Sequence, residues 1–230
     1  MSEFDAPTFY QHLATTSIGR VLEYRTVVET TMTVAADLAR SGAAHGTMVL
    51  AEEQTAGRGR RGRGFHSPSE GNLYFTLILR TPPGAHRRLP VALPLAVARA
   101  CRSEGCDARI KWPNDIWAGG RKLCGMLIDA ELPGTGEDPL ALAGIGINVN
   151  GNPGAVPELR DTATSLAREL RRVVDREPLL ARICGAIEDA LAMDSDRLLV
   201  AYRDLSLVLG RDVLLNYRAA RRESPARKPS

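Results

Sequence analysis

Residues 47–80 run TMVLAEEQTAGRGRRGRGFHSPSEGNLYFTLILR, and the fold turns on how they are read. Gly57-Arg58-Gly59-Arg60-Arg61-Gly62 is a literal G-x-G-x-x-G. In a doubly wound dinucleotide fold those glycines open a helix, and an acidic residue follows roughly 20 positions later. Here Phe65-His66-Ser67-Pro68 come next, and then the apolar run of residues 72–80. Residues 47–52, before the loop, are strand-like as well. The run therefore joins two strands. A P-loop is excluded, because Gly-Lys-Ser/Thr is missing.

Four arginines and four glycines share residues 57–64. Neighbouring guanidiniums repel and glycines supply no core, so the segment cannot bury itself. It either stays solvated or closes over something anionic. Glycine lets amide N–H groups approach a phosphate or carboxylate, and arginine adds bidentate donors. Filled, such a loop orders as a lid does. An RGG-type RNA-binding segment is a third reading. Those segments belong to disordered regions, whereas this one is short, single and held between strands.

The rest of the 230-residue chain narrows the choice. It is 44% apolar and 25% charged, the balance of a folded, enzyme-sized protein. No apolar run approaches the roughly 20 residues of a membrane span. The acidic start Met1-Ser2-Glu3-Phe4-Asp5 has no apolar signal region. Cys101, Cys106, Cys124 and Cys184 form no C-x-x-C pair, which suits reduced thiols in a cytoplasmic setting. His12, His45, His66 and His86 are scattered, which argues against zinc. The net charge is +3, but residues 211–230 alone carry +4, so the body is not basic and a nucleic-acid partner is not expected. Lysine occurs only at 111, 122 and 228, against 27 arginines. Lys is a compact point charge and Arg a wide fork, so two lysines within 111–122 mark a segment needing the smaller cation.

Periodicity predicts helices over 7–14, from Met32 to Leu38, over 89–102 with Pro94 as a kink or late start, over 163–172 capped by Asp161-Thr162, and over 177–202 as one long region. Thr30-Thr31 precede the second of these as a helix cap, or as hydroxyls and amides holding a polar ligand. Strands are predicted over 20–28, 47–52, 72–80, 109–117 with an interruption at Pro113, 122–131 and 140–148, with another beginning in 208–217. Gly125, Gly144 and Gly146 lie inside strands, where glycine often marks close approach of backbone or ligand. Neighbouring strands are joined by hairpins or by single helices. The expected class is α+β: a mixed, largely antiparallel sheet with helices packed on a face.

Five segments in register resemble biotin protein ligases (holocarboxylase synthetases). They are Glu52-x-Gln54-x-Ala56-Gly57-Arg58-Gly59-Arg60-Arg61-Gly62-Arg63, Lys111-Trp112-Pro113-Asn114-Asp115-Ile116, Lys122-Leu123-x-Gly125-x-Leu127, Gly144-Ile145-Gly146-Ile147-Asn148-Val149 and Ala163-Thr164-Ser165-Leu166. The resemblance covers roughly residues 20–200. It implies a class II synthetase-like fold of the biotin/lipoate ligase type. It also implies an ATP-dependent reaction through biotinyl-5′-AMP, with Mg²⁺, and transfer to a lysine of a biotin carboxyl carrier domain. Carried over, Thr30, Thr31, Met32, Gln54, Gly57, Arg58, Gly59, Arg60 and Lys111 look like biotin-binding residues. Lys111, Arg58 and Arg60 look catalytic. Arg61, Arg63, Phe65, Asn114, Gly146 and Asn148 look nucleotide-binding, with Asn114 and Asp115 mainly shaping a turn. Trp112 and Leu127 read as pocket wall or core, and no metal ligand is assigned.

The resemblance also divides the chain. Residues 1–208 match the catalytic domain, 209–217 the start of a C-terminal SH3-like barrel, and 218–230 read as a disordered basic tail. Thr30-Thr31-Met32 stands where S-T-N is common, and Phe65 where Trp is common. No winged-helix domain fits before residue 20, so repressor activity is not implied. A homodimer is compatible with the family. A biotin-binding relative with weak transfer, and a lipoate or octanoate ligase, are the alternative activities.

Overall fold

The computed structural model describes residues 3–131 and 139–212. The chain begins with α1 (Ala6–His12), β1 (Leu22–Val28), α2 (Thr31–Arg40) and β2 (Met48–Gln54). After the glycine–arginine segment come β3 (Leu73–Arg80), a short α3 (Pro83–His86) and α4 (Leu89–Ser103). Then follow β4 (Arg109–Lys111), β5 (Asp115–Ala118), β6 (Arg121–Glu131) and β7 (Leu140–Ile147). Three helices complete it: α5 (Leu166–Leu170), α6 (Arg176–Ala192) and α7 (Ser195–Leu205).

The seven strands form one sheet in the order β1-β2-β3-β7-β6-β5-β4. Only β1 and β2, joined through α2, run parallel; every other neighbouring pair is antiparallel. The expected mixed, largely antiparallel class is therefore the observed one. Strand alternation assigns the two faces. Met48, Leu50, Phe75, Leu77, Leu79, Ala143, Ile145 and Met126 join the main core beneath α4, α6 and α7. Val49 and Ile78 point the other way and pack against Ala35 and Ala39 of α2. Helices thus cover both faces, with α2 on the second. Among the described residues, no helix is long and apolar enough to cross a membrane.

Two helix predictions need correction. The helix placed over 163–172 is only Leu166–Leu170, with Ser165 at its N-cap. Residues 162–164 instead pair with Lys122: its N–H donates to Thr162 O at 2.8 Å, and its carbonyl accepts from Thr164 N–H at 2.8 Å. The long helix over 177–202 is two helices, because Asp194 caps α7 by accepting from Arg197 N–H at 2.9 Å. Pro94 lies within the continuous α4. After α7, Leu207 N–H donates to Ile110 O at 2.7 Å, so the chain runs along the outer edge of β4. Residues 213–217 of the last predicted strand, and the 218–230 tail, lie outside the described residues.

Candidate active site

The glycine–arginine segment folds back over the sheet as an irregular hairpin. Gln54 bridges Ser67, Arg58 bridges Gly64, and a single 3₁₀ turn at Arg60–Gly62 forms the tip. Phe65 N–H donates to Gly57 O at 2.8 Å, and Gly59 N–H to Arg63 O at 2.8 Å. The two arms approach so closely that a Cβ on Gly57 would lie 2.4 Å from the Phe65 carbonyl oxygen. The hairpin is tied to the β4–β5 turn by Arg60, whose Nη1 donates to Asn114 Oδ1 at 3.2 Å. Asn114 in turn donates to Met126 O at 2.6 Å.

Beneath the hairpin, on the α2 face, the sheet is hollowed. Gly125 and Gly146 are direct cross-strand partners, and Gly144 pairs with Leu127. The Phe65 ring drops onto this glycine floor: a Cβ on Gly146 would lie 2.4 Å from its Cε1. Met32 covers Gly144 in the same way, with its sulfur 2.8 Å from where a Cβ would stand. The three strand glycines singled out in the sequence are therefore one surface.

Two cavities meet over it. The first, of about 60 Å³, runs from the start of α2 to the hairpin arginines. At its inner end Thr30 caps α2, its Oγ1 accepting from Met32 N–H at 3.3 Å. Gln54 Oε1 accepts from Thr31 N–H at 3.0 Å, Thr31 Oγ1 at 3.2 Å and Thr30 Oγ1 at 3.3 Å. Gln54 Nε2 donates to Ser67 Oγ at 3.0 Å, and Thr31 Oγ1 lies 2.8 Å from Thr76 Oγ1. Thr76 is fully buried and Ser67 is 4% exposed, so this network holds the amide of Gln54 in one orientation. The second cavity, of about 340 Å³, lies beyond Phe65 and is bounded by Asn72, Asn148, Pro153 and Leu159. Asn148 is fixed by donating from Nδ2 to Thr164 O at 2.9 Å. Phe65, Lys122 and Gly125 border both cavities.

Of the residues taken from the sequence as biotin-binding, Thr30, Thr31, Met32, Gln54, Arg58, Gly59 and Arg60 line the first cavity. Gly57 instead closes the hairpin, and Lys111 lies elsewhere. Its Nζ sits 3.5 Å from the Trp117 ring centroid, away from both cavities. The reason is strand order. Lys111 ends β4, the outermost strand, two strands from the floor, whereas Lys122 is on β6, a floor strand. Lys122 Nζ is 2.8 Å from Asp115 Oδ1 and 5.9 Å from the Phe65 ring. The lysine scarcity marked residues 111–122, and of the two lysines there the structure puts the second at the cavities. Gly146 borders the first cavity and Asn148 the second. Arg63 borders neither; it faces an outer groove beside Trp112. Arg61 has no described side chain. Trp112, expected as wall or core, is 67% exposed.

The hollowed, mostly antiparallel sheet beneath a basic hairpin is the class II synthetase-like architecture of biotin protein ligase catalytic domains. Within that class the chain belongs to the biotin/lipoate A/B protein ligase family, whose model matches residues 24–150. It is 38% identical over 182 residues to the bifunctional ligase/repressor BirA of Bacillus subtilis, covering 76% of this chain and 55% of that protein. It is 32% identical over 198 residues to the biotin–[acetyl-CoA-carboxylase] ligase of Mycobacterium tuberculosis, covering 80% and 71%. The Aquifex aeolicus biotin protein ligase in complex with biotin and ATP superimposes with a TM-score of 0.68 at 30% identity, over 83% of this chain and 80% of that one. The chain thus spans about half the length of the first of these relatives.

Proposed function

We propose that the chain joins biotin to ATP, forming biotinyl-5′-AMP and pyrophosphate, and then transfers biotin to a carrier-domain lysine. The observation that carries this reading is the junction: one ammonium, Lys122, borders both cavities beside the hairpin arginines. A carboxylate entering from the first cavity meets an α-phosphorus entering from the second, and both are anionic. Lys122, Arg58 and Arg60 offset that repulsion and the charge that develops as pyrophosphate leaves. The acid's far end must suit the Gln54–Thr31 network. A ureido group, with two N–H donors and one C=O acceptor, suits it; the dithiolane of lipoate has neither, which favours biotin. Phe65 and Asn148 border the adenine side, and the hairpin keeps water from the acyl-adenylate.

ATP enters as a substrate with its Mg²⁺. Among the described residues no group of three His, Cys, Asp or Glu side chains is placed to hold a metal, and no residue is assigned to the ion. In the second step the carrier amine bonds the acyl carbon, the bond from that carbon to the phosphate oxygen breaks, the amine loses a proton, and AMP leaves. All four cysteines are free and buried, which supports action in the cytoplasm. The test is biotin-dependent exchange of labelled pyrophosphate into ATP, with lipoate as competitor. Exchange with biotin alone is the expected result; exchange driven only by lipoate, or none, would sink the reading.

A further inference from the structure

Trp112 is the largest apolar side chain left in solvent, and nothing in the adenylation chemistry uses it. At 67% exposure it projects from the β4–β5 turn, next to Pro113. Together with Arg60 and Arg63 they border a groove of about 360 Å³. Asp115, Lys122, Phe65 and Asn114 also border it. Lys122 and Phe65 border both inner cavities as well, so the groove leads from solvent to the place where the acyl group is activated. An exposed indole beside guanidiniums has the composition of an interface anchor rather than of a solvated loop.

Resting on the ligase reading, we propose that this groove is the docking surface for the carrier domain, with Trp112 as its anchor. Two features define the partner. Its acceptor lysine must stand on a protruding turn, because the activated carbon lies at the groove's inner end. The turn must carry an apolar side chain for the indole and acidic residues to complement Arg60 and Arg63, which border the groove. Arg60 is anchored by Asn114, so the inner half of the groove has a fixed shape before any partner arrives. Arg63 bears on association, through its charge, more than on the chemistry. The Trp112 side chain touches neither inner cavity, so it separates docking from catalysis.

The experiment compares three readouts in the full chain and in Trp112→Ala: pyrophosphate exchange, acyl transfer to hydroxylamine as a small acceptor, and transfer to an isolated biotin carboxyl carrier domain. Exchange and hydroxamate formation should stay within about twofold, while KM for the carrier domain rises by at least about tenfold with kcat retained. Trp112→Phe should recover most of the loss. Arg63→Ala should raise the same KM less and flatten its salt dependence. No exchange in the unaltered protein removes the ligase reading and the docking surface with it. Exchange present, with a wild-type KM for the carrier in Trp112→Ala, overturns the docking surface alone. So does a parallel loss of exchange in that variant, because the indole would then serve the first step.

Discussion

The two faces of this sheet are made by the same strands and are built in opposite ways. On β3, Phe75 and Leu77 enter the main core, while Tyr74 and Thr76 turn to the other side. On β7, Ala143, Ile145 and Ile147 fill the core, and Gly144 and Gly146 alternate with them. One face is filled to solid density and carries stability. The other is hollowed at its glycines and borders both cavities. A period of two lets a single strand serve both ends, so a substitution should disturb one property and spare the other.

The largest expected effect is on the filled face. Leu77 is fully buried in the main core. Leu77→Ala should cost about 2–5 kcal/mol of stability through lost burial and a residual cavity. Thermal or urea unfolding measures this, and pyrophosphate exchange per folded molecule should be unchanged well below Tm. A variant with normal Tm and lost exchange would break the division between the faces.

Next comes the hollowed face. Lys122→Ala should lower biotin-dependent exchange by roughly 10²–10³-fold, the scale found for removing one charge-stabilising donor. Its ion pair with Asp115 is part-exposed, so stability should fall by less than about 1 kcal/mol. Lys111→Ala should keep exchange within about twofold, since its ammonium sits over Trp117 and lines neither cavity. Steady-state exchange kinetics on the two variants would sharpen the contrast. Equal losses would return a part in the chemistry to Lys111.

That pair of lysines also shows where the sequence runs out. Local alternation made the strands, the strand–loop–strand reading of 47–80 and the antiparallel class legible. Thr30 was legible as a cap because capping is a contact between near neighbours. The glycines of β6 and β7 flagged a close approach, although not that all three form one floor. Choosing between Lys111 and Lys122 needs the order of strands β4, β5, β6 and β7, which no local pattern encodes. Residues 163 and 164 read as helix, with Thr162 in its cap, because their propensity allowed it. Pairing with Lys122, some 40 residues earlier, overrode propensity. Trp112 read as pocket wall or core from the resemblance, and its place at the turn beyond β4 exposes it.

The smallest expected effect lies at a packed-side contact remote from the hollow. Glu188 of α6 holds the turn that leads into β1, accepting from the N–H groups of Thr16 at 2.8 Å, Ser17 at 2.8 Å and Ile18 at 3.4 Å. Burial alone would raise its pKa, but these amides and the Ser17 hydroxyl win and hold it at about 2. The folded value is below the ordinary 4.5, so the carboxylate's contribution is complete above about pH 4.5 and is lost as pH falls toward 2. Glu188→Gln should therefore lower Tm at pH 7 by roughly 2–4 °C, about 1 kcal/mol after solvent screening. The gap should narrow steadily between pH 4.5 and pH 3, and exchange at pH 7 should be untouched. A gap that stays constant across that range would assign the effect to side-chain packing. A change in exchange would show that the filled face is coupled to the hollowed one through β1, whose C-terminal end accepts the first two amides of the hairpin: Thr55 N–H to Val28 O at 2.9 Å, and Ala56 N–H to Glu29 O at 2.8 Å.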